Sequence, residues 1–388
     1  MYAPSDVGFD FVFNGQITGN VAADLMASNF DLAVRRPYLG KDGRTYITRY
    51  TVNDNGERVP QAIVQNAPIA QGLLRKNDWL TIDMAVLKAA KPRLRAVADL
   101  RSAGLEYTIP DGMAKVILQH ERQSDITPAT LSMSGLRKSE EDRPMFDLNN
   151  LPLPIAHKDF SYDLRQLMAS RTGGSPLDTT TAELAGRRVA EVIEQLYLGT
   201  TTAYNFGGGS VFGLTNFPDR ITGNLTQKPF VASAANTAWN PLVTLNDVLA
   251  MKTQSQQTAL HYGPWILYCG LAWDQYMDAD YINIQGVGGT NVSTGTAMTL
   301  RDRLRRIDNL IDVRTLDYFP QGTAANPAFD LVLVQQTSDV VRLVVGMDIT
   351  TIQWETEGGM DLHFKVLCIL VPQLRSDINS NSGIIHFS

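Results

Sequence analysis

The sequence predicts an α+β fold with one part thrown outside its own core. Three observations predict it. A long extended excursion runs from Glu106 to Leu164 and carries prolines that a central strand could not accept. One strongly specified helix follows at Thr179–Leu198, and the chain closes on three apolar strand patterns.

The totals allow such a fold. A chain of 388 residues has room for two or three ordinary domains. Its 44% hydrophobic and 19% charged content suits a sizeable core. A formal charge of −6, with both signs mixed along the chain, argues against a dedicated nucleic-acid binder. Cys269 and Cys368 lie far apart in apolar surroundings and read as reduced core residues. No apolar run approaches the roughly 20 residues that span a bilayer. Met1–Asp6 lacks the basic start of a signal peptide, so a cytoplasmic origin is expected.

Residues 1–73 hold no long amphipathic helix. Strands at 46–50 and 59–64 flank Asn53-Asp-Asn-Gly56, whose Asn-Gly pair suits positive φ, so a small hairpin on an extended arm is expected. Asn77 can cap a helix with Trp79, Ile82, Val86 and Leu87 on one face. Pro92 can open a second helix and Gly104 can stop it.

The excursion leaves through 107–118 and returns through 146–164. Pro110, Pro152 and Pro154 cannot donate to a ladder, which makes its limbs edge strands or an isolated ribbon. In the helix beyond, Thr180-x-x-Glu183 has the capping-box form. Ala182, Ala185, Val189, Val192, Ile193 and Leu196 keep helical spacing, and Gly199 supplies a stop. From 200 to 325, helices are expected at 245–258, 273–281 and 300–307, with a strand at 265–269. Strands at 331–335, 340–345 and 362–371 complete the chain.

Catalytic patterns are weak. No two of His120, His157, His261, His363 and His386 have the i, i+4 spacing of a zinc pair, and there is no Cys-x-x-Cys. His363 reads as a sheet residue; His120 and His157 read as exposed. Ser210 lies in Gly208-Gly-Ser-Val-Phe212, where Phe212 replaces the second glycine of a nucleophile elbow. Gly207-Gly-Gly209 lacks the Lys-Ser/Thr of a phosphate loop and reads as a mobile surface loop. No cofactor, metal or catalytic residue is assigned.

Two charged clusters remain. Arg301, Arg303, Arg305 and Arg306 lie on a helix with Leu304 and Ile307 on its apolar side. They form either a solvated face laced with Asp302 and Asp308 or a contact with another subunit. Arg137, Lys138, Glu140, Glu141, Asp142 and Arg143 crowd the tip of the excursion, beside Met145 and Phe146. Limbs carrying Ile117, Leu118, Met145, Phe146 and Leu148 would expose apolar surface without a partner, so this tip reads as a clasp on an adjacent subunit.

The order of these features resembles the major capsid proteins of tailed bacteriophages, the Hong Kong 97-like fold, and their encapsulin relatives. The resemblance is carried by Leu74-Arg-Lys-Asn-Asp-Trp79, Asp99-Leu-Arg-Ser-Ala-Gly104, Ser170-Arg-Thr-Gly-Gly-Ser-Pro-Leu-Asp-Thr-Thr180, Val211-Phe-Gly-Leu-Thr-Asn-Phe-Pro218 and Phe364-Lys-Val-Leu-Cys-Ile-Leu-Val-Pro-Gln-Leu374. It implies an N-terminal arm at 1–73 and a helical start of the peripheral domain at 74–105. It further implies an extended loop (E-loop) at 106–164 and a spine-helix segment at 165–200. An axial domain at 201–325 and C-terminal strands of the peripheral domain at 326–388 complete the division.

The same resemblance implies the partners: copies of the chain in hexamers and pentamers, closing an icosahedral shell assembled in a host bacterial cytoplasm. A portal, a possible decoration protein and non-specifically contacted double-stranded DNA are implied with it, and no membrane. A weakly acidic wall suits that DNA contact, since a strongly basic one would pin it through counterion release. The turn-rich residues 1–73 point to a separate scaffold protein. Some members cross-link a loop lysine to a neighbour; Lys138 alone could serve, no matching asparagine or glutamate is identified, and no cross-link is expected. The alternatives are an encapsulin-type compartment shell, a tail or decoration component, and, from a different class, a hydrolase using Ser210 or a histidine–carboxylate pair.

Overall fold

A computed structural model describes residues 38–40, 44–52, 58–64, 76–124, 129, 131, 133, 141, 143–163, 165, 178–229, 239–287, 290–320, 322–323, 326–355 and 361–388, and the statements below concern these. The elements, in chain order, are β1 (Tyr38–Leu39), β2 (Thr45–Val52), β3 (Arg58–Val64), α1 (Lys76–Ala90), α2 (Arg95–Ser102), β4 (Glu106–Thr108), β5 (Ile117–Gln123), β6 (Phe146–Pro152) and β7 (Ala156–Asp163). There follow α3 (Thr180–Leu198), β8 (Tyr204–Phe206), β9 (Gly209–Val211), β10 (Ile221–Gly223), α4 (Pro241–Thr258), β11 (Trp265–Gly270), α5 (Asp274–Met277), β12 (Asp280–Val287) and β13 (Thr290–Thr299). The last are α6 (Leu300–Arg305), β14 (Leu310–Leu316), β15 (Gly322–Thr323), β16 (Asn326–Pro327), β17 (Leu331–Gln335), β18 (Val341–Glu355), β19 (Asp361–Leu374) and β20 (Ile384–Phe387).

Two sheets organise them. One has the order β4-β18-β19-β7, the other β10-β20-β17-β11-β14. In β19, residues 362–365 alternate between buried and half-buried, whereas 366–374 are buried throughout. The reason is a change from one covered face to two. On one face, Phe364 meets Trp79 edge-on at 5.8 Å and stacks on Phe160 at 5.2 Å, with α1 and α3 packed above. On the other, Leu367, Ile369 and Val371 pack against Leu151 and Leu153 from the base of the excursion.

The second sheet is likewise covered twice. Along β11, Ile266 and Tyr268 face the core containing α3, while Trp265, Leu267 and Cys269 face a second core with α4, α5 and α6. Alternation along one strand thus joins the two cores. Cys269 and Cys368 are free, buried and in separate cores, as their apolar surroundings suggest.

Several expectations are met and several corrected. The hairpin β2–β3 forms with Val52 opposite Arg58. Asn77 lies within α1, in its first turn, instead of capping it. Pro92 opens a short 3-10 turn (Lys91–Arg93) before α2. The helix expected at 273–281 shrinks to α5, with Tyr281 already in β12. Trp273 and Met277 are both buried by a single turn, so no longer helix is needed. Val192 is half exposed and leaves the apolar stripe of α3. The strand expected at 340–345 extends as β18 to Glu355. Among the described residues no helix is long and apolar enough to cross a membrane.

Candidate assembly surface

The helix that anchors the excursion is set by short-range chemistry. The Asp178 carboxylate accepts the Thr180 N–H at 3.0 Å and the Thr180 hydroxyl at 2.6 Å, which holds its pKa below the usual value. Thr179 donates its hydroxyl to Glu183 at 3.2 Å. The expected box Thr180-x-x-Glu183 is therefore displaced: Thr179 is the cap residue, and Asp178 supplies the acceptor. Gly199 closes the helix at φ 81°, a left-handed position that suits glycine.

The excursion is rooted at both edges of the four-stranded sheet. Its outgoing limb starts as β4, parallel to β18, and its return limb ends as β7, antiparallel to β19. Between these roots β5 and β6 form an isolated two-stranded ribbon, from Ile117 opposite Pro152 to Gln123 opposite Phe146. The prolines behave as expected, but the limbs are not one continuous ribbon. The ladder continues one step outward, where Ser124 N–H donates to the Met145 carbonyl at 3.0 Å.

Cross-strand partners share a face, so the register sorts the side chains. His120, Arg122 and Leu118 share one face with Asn149, Asp147 and Leu151. Gln119, Glu121 and Gln123 share the other with Phe146 and Leu148. Leu118, His120 and Arg122 are half-buried; Gln119, Glu121 and Gln123 are exposed. Phe146 and Leu148 stand 59% and 63% exposed, and Met145 beside them 68%. The ribbon thus leaves Phe146 and Leu148 more than half exposed on one face and holds its cationic groups half-buried on the other. Without a partner this exposes contiguous apolar surface.

Two devices fix the ribbon to the body. Arg122 donates to Asp147 at 2.8 Å and lies 3.5 Å from Asp219, which also accepts the Ser376 hydroxyl at 2.5 Å. The other device is the hairpin β8–β9. Its turn residues Gly207 and Gly208 have φ of 59° and 74°. A Cβ on Gly209 would lie 2.1 Å from the Asn150 carbonyl oxygen, and one on Gly207 2.4 Å from Ile117 Cδ1. Gly207–Gly209, expected as a surface loop, is a turn exposed at Gly207 and Gly208 whose close approach braces the ribbon. Ser210 sits within β9, away from the strand–turn–helix setting of a nucleophile elbow.

A cleft of about 840 Å³ separates the ribbon from the loops around His261, Asp339 and Arg375. His120 is half-buried there, and both its ring nitrogens lie shielded without a hydrogen-bond partner. Burial, then Arg375, Arg342 and Arg122, push its pKa down to about 4. The exposed setting expected for His120 is corrected. His157 is exposed, 3.9 Å from Asp159.

Of the predicted contact residues, Glu141, Arg143, Met145 and Phe146 are exposed. Arg137, Lys138, Glu140 and Asp142 lie outside the described residues. The other cluster sits apart, on α6. Arg301 pairs with Asp274 at 2.9 Å and Asp278 at 2.8 Å, and Arg305 with Asp312 at 2.8 Å. These two arginines are engaged within the chain, by acids other than the expected Asp302 and Asp308; Arg303 is half-buried and Arg306 exposed. Asp219 and Asn150 carried no sequence signal, and the glycine run at Gly209 gave none of its bracing role, because only the folded approach of distant segments supplies it.

Comparison with known proteins places this geometry. Residues 66–387 match a family described as "Family of unknown function (DUF6260)". No curated protein matches the chain. A virus-like particle from Pyrococcus furiosus is similar in structure, with a TM-score of 0.52 and 15% identity over 80% of this chain and 99% of that one. The capsid of Myoviridae phage XM1 is similar with a TM-score of 0.48 and 9% identity, over 70% and 85%. The capsid of Ralstonia phage GP4 is similar with a TM-score of 0.46 and 11% identity, over 73% and 85%. The fold is the Hong Kong 97-like one that the sequence resembles.

Proposed function

We propose that this chain, which belongs to the DUF6260 family, is the major capsid protein of a tailed double-stranded DNA bacteriophage, assembling into hexamers and pentamers of an icosahedral shell. The observation that carries the reading is the ribbon, which leaves Met145, Phe146 and Leu148 more than half exposed on a body that has a capsid fold. A second copy of the chain is the occupant that the fold supplies. The division into arm, E-loop, spine helix, peripheral and axial domains is proposed with it. So are the contact roles of the tip residues 137–143 and of Arg303 and Arg306. Scaffold, portal and decoration proteins, with assembly in a bacterial cytoplasm, complete the proposal. The protein acts by contact, without catalysis.

Electron microscopy of the purified chain, with and without its neighbouring gene products, tests this. Closed angular shells are expected. A soluble monomer that persists with a scaffold present would overturn the reading. Removing 137–143 should leave folded subunits that fail to form stable shells. A second reading, a compartment shell without a genome, is favoured by the likeness to a virus-like particle. Nuclease-protected DNA inside purified shells distinguishes the two.

A further inference from the structure

His120, Arg122 and Arg375 line the cleft behind the ribbon, and Arg342 lies near enough to act on His120. His120 and Arg122 come from β5, Arg342 from β18, and Arg375 directly follows β19. Arg122 is taken up by Asp147 and Asp219, and Arg342 by Gln373 and by the Tyr107 ring, 4.3 Å from its guanidinium. Among the described residues the Arg375 side chain makes one hydrogen bond, from Nη1 to the Ser338 carbonyl at 3.3 Å, and has no carboxylate in ion-pair range. His120 has no partner on either ring nitrogen.

Three acids line the cleft, Glu121, Asp339 and Asp377, and among the described residues none is in ion-pair range of Arg375 or hydrogen-bonded to His120. Asp377 is held through both oxygens by Asn381, at 2.7 and 2.8 Å. Asp219 is held by Arg122 and Ser376. Asp339 acts on His261, and Glu121, although its register places it opposite Leu148, also lines the cleft without reaching Arg375 or His120. Arg375, with no carboxylate in range, and His120, with two bare and shielded ring nitrogens, line the same cleft and leave donors that an anion would satisfy. The cleft has the room for one.

We propose that this cleft is an oxyanion-binding site, in which Arg375 and His120 hold a phosphate or a carboxylate group. Arg375 offers a planar pair of N–H donors, the geometry that suits either group. His120 takes one proton from solvent as the anion enters and becomes a second donor. Arg122 and Arg342 stay with their present partners and supply field. The same chemistry has two sources: free phosphate, or a carboxylate side chain from a second copy. The latter source rests on the assembly reading above.

The test follows the His120 titration by NMR in full-length chain labelled with ¹⁵N-histidine, with His120→Gln identifying its signal. Excess phosphate added to unassembled subunits should raise the His120 pKa by about 1 or more. Arg375→Ala should abolish the rise, and Arg375→Lys should keep part of it. If phosphate is inert but assembly in phosphate-free buffer raises the pKa, read in sedimented shells by solid-state NMR, the ligand is a neighbour's carboxylate. A pKa unmoved by both overturns the site, as does an equal rise in folded Arg375→Ala protein. If no shells form, the assembly reading fails and the phosphate measurement alone decides the site.

Discussion

Gly209 meets Asn150 backbone to backbone: a methyl group on the glycine would stand 2.1 Å from the asparagine's carbonyl oxygen. The hairpin β8–β9 and the ribbon strand β6 are far apart in sequence, and this contact sets how the ribbon leaves the body.

Gly209→Val should therefore displace the ribbon. Overpacking of a close contact costs about 1–3 kcal/mol. A lowered denaturant midpoint is expected, together with a loss of shells out of proportion to the loss of fold. A variant of unchanged assembly, read by light scattering, would show that the brace does not set the ribbon.

The outward face predicts the opposite split. Phe146→Ser with Leu148→Ser removes apolar groups that are already more than half exposed, so subunit stability should change by no more than about 0.5 kcal/mol. Shell yield should fall sharply. Equal shells from this double variant would mean that the face is not an interface.

Glu194 predicts a pH dependence. Its Oε1 accepts the Ala96 N–H at 2.7 Å, so α3 caps the start of α2. Burial outweighs the backbone N–H groups of Ala96, Val97 and Arg95 and pushes its pKa from 4.5 up to about 7. The folded state then holds this proton more tightly than the unfolded chain. The contribution to stability is fully present below about pH 4.5, declines as pH rises through 7, and is flat above. Denaturant midpoints against pH should show that decline, and Glu194→Gln should flatten it.

Asp99 is buried and is engaged by Arg314 of β14 and, at 3.1 Å, by the Tyr268 hydroxyl of β11. Arg314→Leu strands this carboxylate and should cost about 1–3 kcal/mol. Asp99→Asn in the same background should recover part of the loss, measured by chemical denaturation.

Much of this fold was legible because local chemistry agreed with tertiary need. Ala182, Ala185, Val189 and Ile193 read as a buried stripe and are one. The prolines of the excursion kept its limbs out of any sheet centre, and β5–β6 is a ribbon. Val192 misled because spacing alone does not show where a stripe's edge falls on a partner surface. Trp273 and Met277 looked like a long helix because one turn and three turns share that spacing. The brace at Gly207–Gly209 and the role of Asp219 could not be read, since each depends on a contact with a distant segment. His120 was misplaced for the same reason, its neighbours Arg342 and Arg375 being far along the chain.

The two roots of the excursion differ in length, three residues of β4 against eight of β7, and they sit at opposite margins of one sheet. A loop attached so is a stirrup. In the proposed assembly, any pull that a neighbour exerts on the ribbon divides between the two margins, and the β4 seam has the shorter ladder to resist it. Under tension the subunit would unzip from the β4 side while β7 keeps the ribbon tethered, so a strained wall could stretch before it tore.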